Sequence, residues 1–200
     1  MLILTFGMDA FKRLCAVWFR MKGWKAVGQI PTHIKKGIII GPGHTSNWDF
    51  VYAMGAMYLL NINAKFTIKK EWFFFPMNLF FKSLGGIPVD RRGTGKSKES
   101  LTDAMARLLK EAERLFILVT VEGTRKKVEK WRTGFYYTAL KAQVPIIVGF
   151  MDYAKREAGI KGIIFPTGDY KDDVRKIIKM LQGVTPKYPD QACFNPRLDD

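Results

Sequence analysis

The feature that most constrains the fold of this chain is a regular alternation of short apolar runs with longer segments of helical periodicity. The runs are rich in Ile, Val and Phe and are bounded by Gly, Pro or charged residues, which is typical of buried strands. They cover residues 37–41, 65–68, 87–89, 115–121, 145–150 and 161–165. The helical patterns cover residues 47–60, 98–114, 135–142 and 170–181. Strands that alternate with helices predict an α/β domain with a largely parallel central sheet flanked by helices.

The length of 200 residues fits a single domain, and the sequence contains no internal repeat and no long linker. We expect three parts along the chain. They are an amphipathic, membrane-associating helix at residues 1–25, the α/β domain at residues 26–182 and an extended tail at residues 183–200. The last boundary follows a change in composition, because three prolines interrupt the end of the sequence.

The N-terminal segment combines apolar residues at helical spacing with many positive charges. Between residues 8 and 24 the apolar residues that recur at helical spacing include Phe11, Leu14, Cys15, Trp18 and Met21. A basic helix with Trp and Phe on its apolar side suits an anionic membrane surface. The same pattern also occurs on helices that pack against a protein core. Both interpretations are open from the sequence alone.

The sequence predicts a peripheral protein at the cytoplasmic face of the cell membrane. The most apolar later stretch, residues 50–64, is shorter than a membrane-spanning helix and is interrupted by Asn61 and Asn63. The first residues lack the basic region and the cleavage site of a signal peptide. Only two cysteines occur, far apart in the chain, which argues against a disulfide framework and is typical of the reducing cytoplasm.

The chain is strongly basic, with a net charge of +15 from 33 Lys and Arg against 18 Asp and Glu. Such an excess attracts nucleic acids, anionic bilayers or phosphorylated substrates. Because no zinc finger, basic zipper or RNA-binding signature is present, nucleic acid is not an expected partner. With few Cys and His residues, no metal site is expected either. The charge therefore indicates an anionic membrane surface or a phosphorylated substrate.

A pair of residues capable of catalysis, His44 and Asp49, follows the first predicted strand in the segment His-Thr-Ser-Asn-Trp-Asp. Residues five apart on a regular helix point about 140° away from each other, so the two side chains meet only if His44 lies in the preceding loop. Ser46 or Asn47 is a suitable N-cap, which leaves Asp49 in the first helical turn. Asp49 can then bind one imidazole nitrogen while the other accepts a proton from a substrate hydroxyl. A structural alternative exists, because Ser46 and Asp49 also match a capping box.

Three further segments follow this pair in order. They are Gly86-Ile-Pro-Val-Asp-Arg91, then Glu122-Gly-Thr-Arg125 directly after a predicted strand, and Val144-Pro-Ile-Ile-Val148. Together with the His44 segment they resemble the four motifs of the glycerolipid acyltransferases, over residues 38–149. The sequence is most similar to the bacterial 1-acylglycerol-3-phosphate acyltransferases. The resemblance implies an acyltransferase domain at residues 26–182.

The resemblance also implies the reaction and its residues. A fatty acyl group would move from a thioester, either acyl-ACP or acyl-CoA, to the hydroxyl of a lysophospholipid, without a metal or cofactor. His44 would be the general base and Asp49 its orienting partner. The acceptor would bind to Arg91, Glu122, Gly123, Thr124 and Arg125, and its headgroup to Lys69 or Lys70. Guanidinium groups suit phosphate, although pairing with a neighbouring acidic residue is the alternative for any single arginine.

Other functions remain open at this stage. The same chemistry can act on a lyso-aminolipid or another hydroxylated amphiphile, and a non-catalytic lipid-binding protein can keep the same fold. The aromatic segment at residues 72–81 is a candidate wall for an acyl chain or a membrane contact, and core packing explains it equally well.

Overall fold

The computed structural model describes residues 2–69, 71, 73–83, 85–89 and 100–198. The described strands are β1 (Lys25–Val27), β2 (Lys36–Ile40), β3 (Ala64–Lys69), β4 (Gly86–Val89), β5 (Leu115–Val119), β6 (Ile146–Asp152) and β7 (Glu157–Ile164). The described helices are α1 (Leu2–Met21), α2 (Trp48–Leu59), α3 (Met77–Ser83), α4 (Leu101–Glu111), α5 (Gly134–Ala142) and α6 (Tyr170–Met180).

The strands form one sheet in the order β1-β7-β6-β2-β5-β3-β4. Every neighbouring pair is parallel except β6 and β7. These two strands are joined by a turn at residues 153–156, which is too short for the crossover that a parallel pair needs. The predicted α/β class with a largely parallel sheet is therefore confirmed. Strand β1 is not predicted by the sequence pattern, because three residues are too few to show a strand periodicity.

The centre of the sheet is β2, which is hydrogen-bonded to β5 on one side and to β6 on the other. Ile38 and Ile40 are fully buried on the face covered by α4, α5 and α6. Ile39 is buried on the opposite face, in a cluster that includes Ile62 and Phe116. Burial of each such side chain contributes about 1.5–3 kcal/mol. The strand is thus held in place from both faces, as the uninterrupted apolar run predicts.

The N-terminal helix α1 has two apolar stripes with different surroundings. Cys15 and Phe19 are buried against other residues of the protein, and the helix packs along α2. Gly55 of α2 permits this close approach, since a Cβ there would lie 2.8 Å from the carbonyl oxygen of Cys15. A second stripe remains exposed and consists of Leu14, Val17 and Met21. In the part of the chain that the structure describes, no helix combines the length and hydropathy needed to cross a bilayer.

Residues 183–198 run along the surface and hold several loops of the domain. The indole Nε1 of Trp131 donates to the carbonyl oxygen of Cys193 at 2.6 Å. The backbone N–H of Tyr153 donates to the carbonyl oxygen of Thr185 at 2.7 Å. Cys193 is buried, so the segment packs against the domain rather than extending into solvent.

Candidate active site

The candidate site lies where the parallel strands β2 and β5 end. The last residues of the two strands, Ile40 and Val119, are register partners, so the loops that follow begin side by side. The first loop carries His44 and the second carries residues 122–125. In open α/β sheets, ligands bind at this carboxyl edge because loops from neighbouring strands converge there.

The structure brings His44 and Asp49 together. Helix α2 begins at Trp48 with Asn47 as its N-cap, so Asp49 lies in the first turn and His44 in the preceding loop. The imidazole Nδ1 of His44 is 3.1 Å from Oδ2 of Asp49. The His44 side chain is 28% exposed, whereas that of Asp49 is 6% exposed. The carboxylate therefore holds one imidazole nitrogen, and Nε2 is available to a substrate.

Asp49 receives further hydrogen bonds from the backbone and from a distant side chain. Its Oδ2 accepts the N–H groups of Thr45 and Ser46, each at 2.9 Å, and its Oδ1 accepts the hydroxyl of Tyr153 at 2.5 Å. Burial on its own would raise the pKa of the Asp49 carboxyl. The hydrogen bonds from His44, Tyr153 and Ser46 outweigh burial and hold this pKa below its ordinary value. Asp49 is therefore ionised at neutral pH and can stabilise a protonated His44.

Glu122 supports the loop that carries His44. Its Oε1 accepts the N–H of Gly43 at 2.7 Å, while its buried Oε2 has no hydrogen-bond partner among the described residues. Burial raises the pKa of Glu122, and the Gly43 hydrogen bond opposes that rise. Gly43 has φ +75°, and a Cβ there would lie 2.5 Å from the ring of Phe194. Glu122 and Phe194 thus fix the loop from two sides, and only glycine fits between them.

Two arginines lie at the loop that follows β5, Arg125 within it and Arg132 packed against it. The Nη1 of Arg125 donates a hydrogen bond to Oδ1 of Asn47, which joins this loop to the start of α2. Arg132 lies over Gly123, where a Cβ would be 2.5 Å from its Nε. Sequence reasoning missed Arg132, because nothing in the sequence distinguishes it from the neighbouring solvated lysines. It missed Asn47 as a partner of Arg125 because the two residues are far apart in the sequence.

Two of the predicted acceptor residues are not placed by the structure. Arg91 lies outside the described residues, as does Lys70. Lys69 ends β3, and its side chain is also outside the described part. Thr67 and Glu71, on either side of Lys69, line the cavity of the site, so this strand end lies beside it.

A cavity of about 830 Å³ connects the polar residues to the interior between α2 and the sheet. Its polar wall includes His44, Asp49, Gly123, Thr124, Arg125 and Arg132. Its apolar wall includes Ile39, Met57, Leu60, Ile62, Phe66, Phe81, Leu118 and Ile160. A mostly apolar cavity with a few convergent polar groups is typical of a ligand site.

The aromatic segment at residues 72–81 is divided between the cavity and the surface. Phe81 of α3 lines the cavity. Phe74, Phe75 and Leu79 are exposed by 56%, 79% and 48%. Trp72 lies outside the described residues. Among the described rings of the segment, Phe81 is thus available to a ligand, whereas Phe74 and Phe75 face solvent or a membrane.

Comparison with known proteins shows the family to which this chain belongs. The family model named Acyltransferase matches residues 24–149, which is more than half of the chain. The chain belongs to the Acyltransferase family. The match includes His44, Asp49 and the loop at residues 122–125, so the resemblance seen in the sequence is confirmed.

A solved structure is similar to this acyltransferase over most of its length. It is the crystal structure of the 1-acyl-sn-glycerophosphate (LPA) acyltransferase PlsC from Thermotoga maritima, with a TM-score of 0.60 and 17% sequence identity. The similarity covers 88% of this chain and 76% of that chain. At this identity the likeness supports the fold. No significant match was found among curated proteins.

We predict that His44→Ala lowers the rate of acyl transfer by about 10²–10⁴-fold, because an oriented imidazole acting as general base contributes this much. The measurement is release of free thiol from an acyl thioester in the presence of an acceptor. His33→Ala is the matched control, since His33 is the other histidine and is exposed in the loop before β2. A folded His44→Ala variant with the wild-type rate would contradict the assignment.

Proposed function

We propose that this enzyme transfers a fatty acyl group from an acyl thioester to the free hydroxyl of 1-acylglycerol 3-phosphate or a related lysophospholipid. The observation that carries the proposal is the contact between His44 and Asp49 at a cavity that is apolar inside and basic at its polar end. The family and the name of the similar Thermotoga protein agree with this chemistry.

In the proposed reaction His44 acts as general base. Asp49 binds Nδ1–H, which leaves Nε2 free to accept the proton of the acceptor hydroxyl. The hydroxyl oxygen attacks the thioester carbonyl carbon and forms the new ester bond. The C–S bond then breaks, and the departing thiolate takes the proton from His44. Gly123 and Thr124 line the cavity, and we assign to the backbone of this loop the role of donor to the developing oxyanion.

The apolar part of the cavity fits the acyl chain of the donor. Met57 of α2 and Leu60, which caps the end of that helix, line it together with Ile39 and Leu118 of the sheet. Acyl-CoA and acyl-ACP present the same thioester to His44, so either carrier is compatible with this arrangement. Each methylene that enters the cavity from water contributes about 0.8 kcal/mol.

The acceptor phosphate fits between Arg125 and Arg132. Both guanidinium groups line the cavity, and Asn47 holds that of Arg125 near the start of α2. Charge-assisted hydrogen bonds from a planar guanidinium suit the geometry of a phosphate. We also assign Arg91 to the binding of this phosphate, because the segment Gly86–Arg91 resembles one of the four family motifs.

The exposed stripe of α1 fits an anionic membrane surface. Leu14, Val17 and Met21 are exposed by 68%, 50% and 74%, and they lie along one side of the helix. Arg13 and Arg20 are also exposed and flank this stripe. A helix that packs on α2 with one side can therefore insert the other side into the bilayer interface, where its arginines meet acidic headgroups. The arrangement supports our proposal that the enzyme is a peripheral membrane protein, and we assign it to the cytoplasmic face because the two cysteines of the chain are free and buried.

The first prediction of this proposal concerns the acyl chain. Gly41 lines the cavity, and among the described residues a Cβ there meets only Leu118 Cδ1 at 4.0 Å, so a larger side chain enters open space. Gly41→Leu is expected to lower kcat/KM about 15-fold more for a long-chain donor than for one shorter by two methylenes, since two excluded methylenes are worth about 1.6 kcal/mol. Gly134→Leu, at the start of α5, is the control. If Gly41→Leu leaves the ratio of kcat/KM for the long and the short donor unchanged, the cavity does not bind the acyl chain.

The second prediction concerns the acceptor. Purified enzyme is expected to acylate 1-acylglycerol 3-phosphate in preference to monoacylglycerol and a lyso-aminolipid. Arg125→Lys and Arg132→Lys are each expected to raise KM for the phosphorylated acceptor, by less than the roughly 10- to 150-fold that loss of the whole charge-assisted contact would cause, because lysine keeps the charge but loses the two-pronged geometry. The donor KM and the unphosphorylated acceptors should be almost unaffected.

The control for these variants is Arg107→Lys, since Arg107 is an exposed arginine on α4. Equal losses with phosphorylated and unphosphorylated acceptors would show that the two arginines support the fold or the oxyanion. If the wild-type enzyme prefers the lyso-aminolipid, the proposed phosphorylated acceptor is wrong and the lyso-aminolipid takes its place.

The third prediction concerns the membrane. Arg13→Gln combined with Arg20→Gln is expected to weaken binding to anionic vesicles by about 30-fold, at roughly 1 kcal/mol per charge. Replacing Leu14, Val17 and Met21 by Ser should weaken binding at any salt concentration. Leu101→Ser with Leu140→Ser, two exposed leucines on α4 and α5, is the control for the apolar set. Co-sedimentation that is unchanged in both α1 variants would reject docking through α1.

A further inference from the structure

Tyr153 contacts the candidate site from a distant part of the chain. It follows the last residue of β6 and lies in the turn that leads to β7. Its hydroxyl donates to Oδ1 of Asp49 at 2.5 Å, across 104 residues of sequence. This oxygen is the one that His44 does not use, because the imidazole contacts Oδ2. Tyr153 and His44 thus bind opposite oxygens of one buried carboxylate.

The surroundings of Tyr153 fix the position of its hydroxyl. Asp152 Oδ1 accepts the N–H groups of Ala154 and Lys155, each at 3.0 Å, which holds the turn in shape. The Tyr153 ring packs edge-on against Trp24 and Tyr52, with ring centroids 4.9 and 5.9 Å away. A phenol held by its backbone and by two aromatic rings presents its O–H in one direction.

We propose that Tyr153 is a positioning residue for acyl transfer, which orients Asp49 so that its Oδ2 meets His44 Nδ1. The inference rests on the proposed role of His44 and extends it to a residue outside the family motifs. A carboxylate can rotate about its Cβ–Cγ bond. Tyr153 prevents that rotation by holding the second oxygen, while Thr45 and Ser46 N–H groups hold the first. Burial and the neighbouring Asp49 both raise the pKa of Tyr153, so its phenol keeps the proton that it donates.

The kinetic test is Tyr153→Phe, which keeps the ring packing and removes only the hydroxyl. We expect kcat to fall about 10-fold while KM for donor and acceptor stays within about twofold, because the lost hydrogen bond acts on the base and not on substrate binding. In an Asp49→Asn background, Tyr153→Phe should lower kcat by less than about twofold, since Tyr153 acts through Asp49.

The chain offers a matched control in Tyr136→Phe. The Tyr136 hydroxyl also donates to a buried aspartate, Asp173, at 2.9 Å, but α5 and α6 place this pair away from the cavity. Tyr136→Phe should lower the melting temperature and leave kcat unchanged. A wild-type kcat for Tyr153→Phe would overturn the proposal, as would an undiminished effect of Tyr153→Phe in the Asp49→Asn background.

A measurement without substrate separates this inference from the proposed function. In ¹⁵N-labelled protein, the His44 imidazole should carry its proton on Nδ1, as detected by two-dimensional NMR of the ring nitrogens. Tyr153→Phe should convert this signal into a mixture of tautomers, and Tyr136→Phe should leave it unchanged. An unaltered His44 tautomer in Tyr153→Phe would reject positioning by Tyr153 even if acyl transfer occurs. If the Nδ1–H tautomer of His44 is lost in Tyr153→Phe, positioning by Tyr153 is supported, even if the acceptor proves to be another lipid.

Discussion

The geometry of this enzyme depends on the central position of β2. The strand is hydrogen-bonded on both sides, and its isoleucines are buried on both faces of the sheet. A slip of one residue would exchange the two faces and shift the following loop, so the packing fixes the register. Because β2 ends beside β5, this register also determines where His44 lies relative to the loop at residues 122–125.

Asp49 combines a structural role with the catalytic role proposed for it. A buried ionised carboxylate costs several kcal/mol unless hydrogen bonds compensate for the lost water. Two backbone N–H groups, an imidazole and a phenol provide that compensation. The same carboxylate lies in the first turn of α2, where negative charge is favourable. Of the two capping-box contacts the described structure has one, from the N–H of Ser46 to Asp49, because Asn47 is the N-cap and Ser46 Oγ accepts the N–H of Trp48. That contact is compatible with the proposed catalytic role of Asp49.

The sequence predicted features that depend on local patterns and missed those that depend on contacts between distant residues. The strand and helix alternation specifies the fold class because each element shows its own periodicity. The placement of His44 before α2 and Asp49 within it follows from six consecutive residues. The hydroxyl of Tyr153 and the guanidinium of Arg132 have no such local signal, since only the folded sheet brings them to the site. The sequence also did not predict the contact of Glu122 with Gly43. Glu122 was expected to bind the acceptor, and in the structure its side chain is buried and accepts the N–H of Gly43.

The surface path of residues 183–198 has a consequence for biosynthesis. Phe194 packs against Gly43, and the N–H of Tyr188 donates to Thr45 Oγ1 at 3.2 Å. The loop that carries His44 is made early by the ribosome, whereas the residues that brace it are made more than a hundred positions later. A nascent chain that already contains every family motif therefore still lacks the contacts that support the His44 loop. Its site is completed only after this late segment leaves the exit tunnel and folds back over the loop.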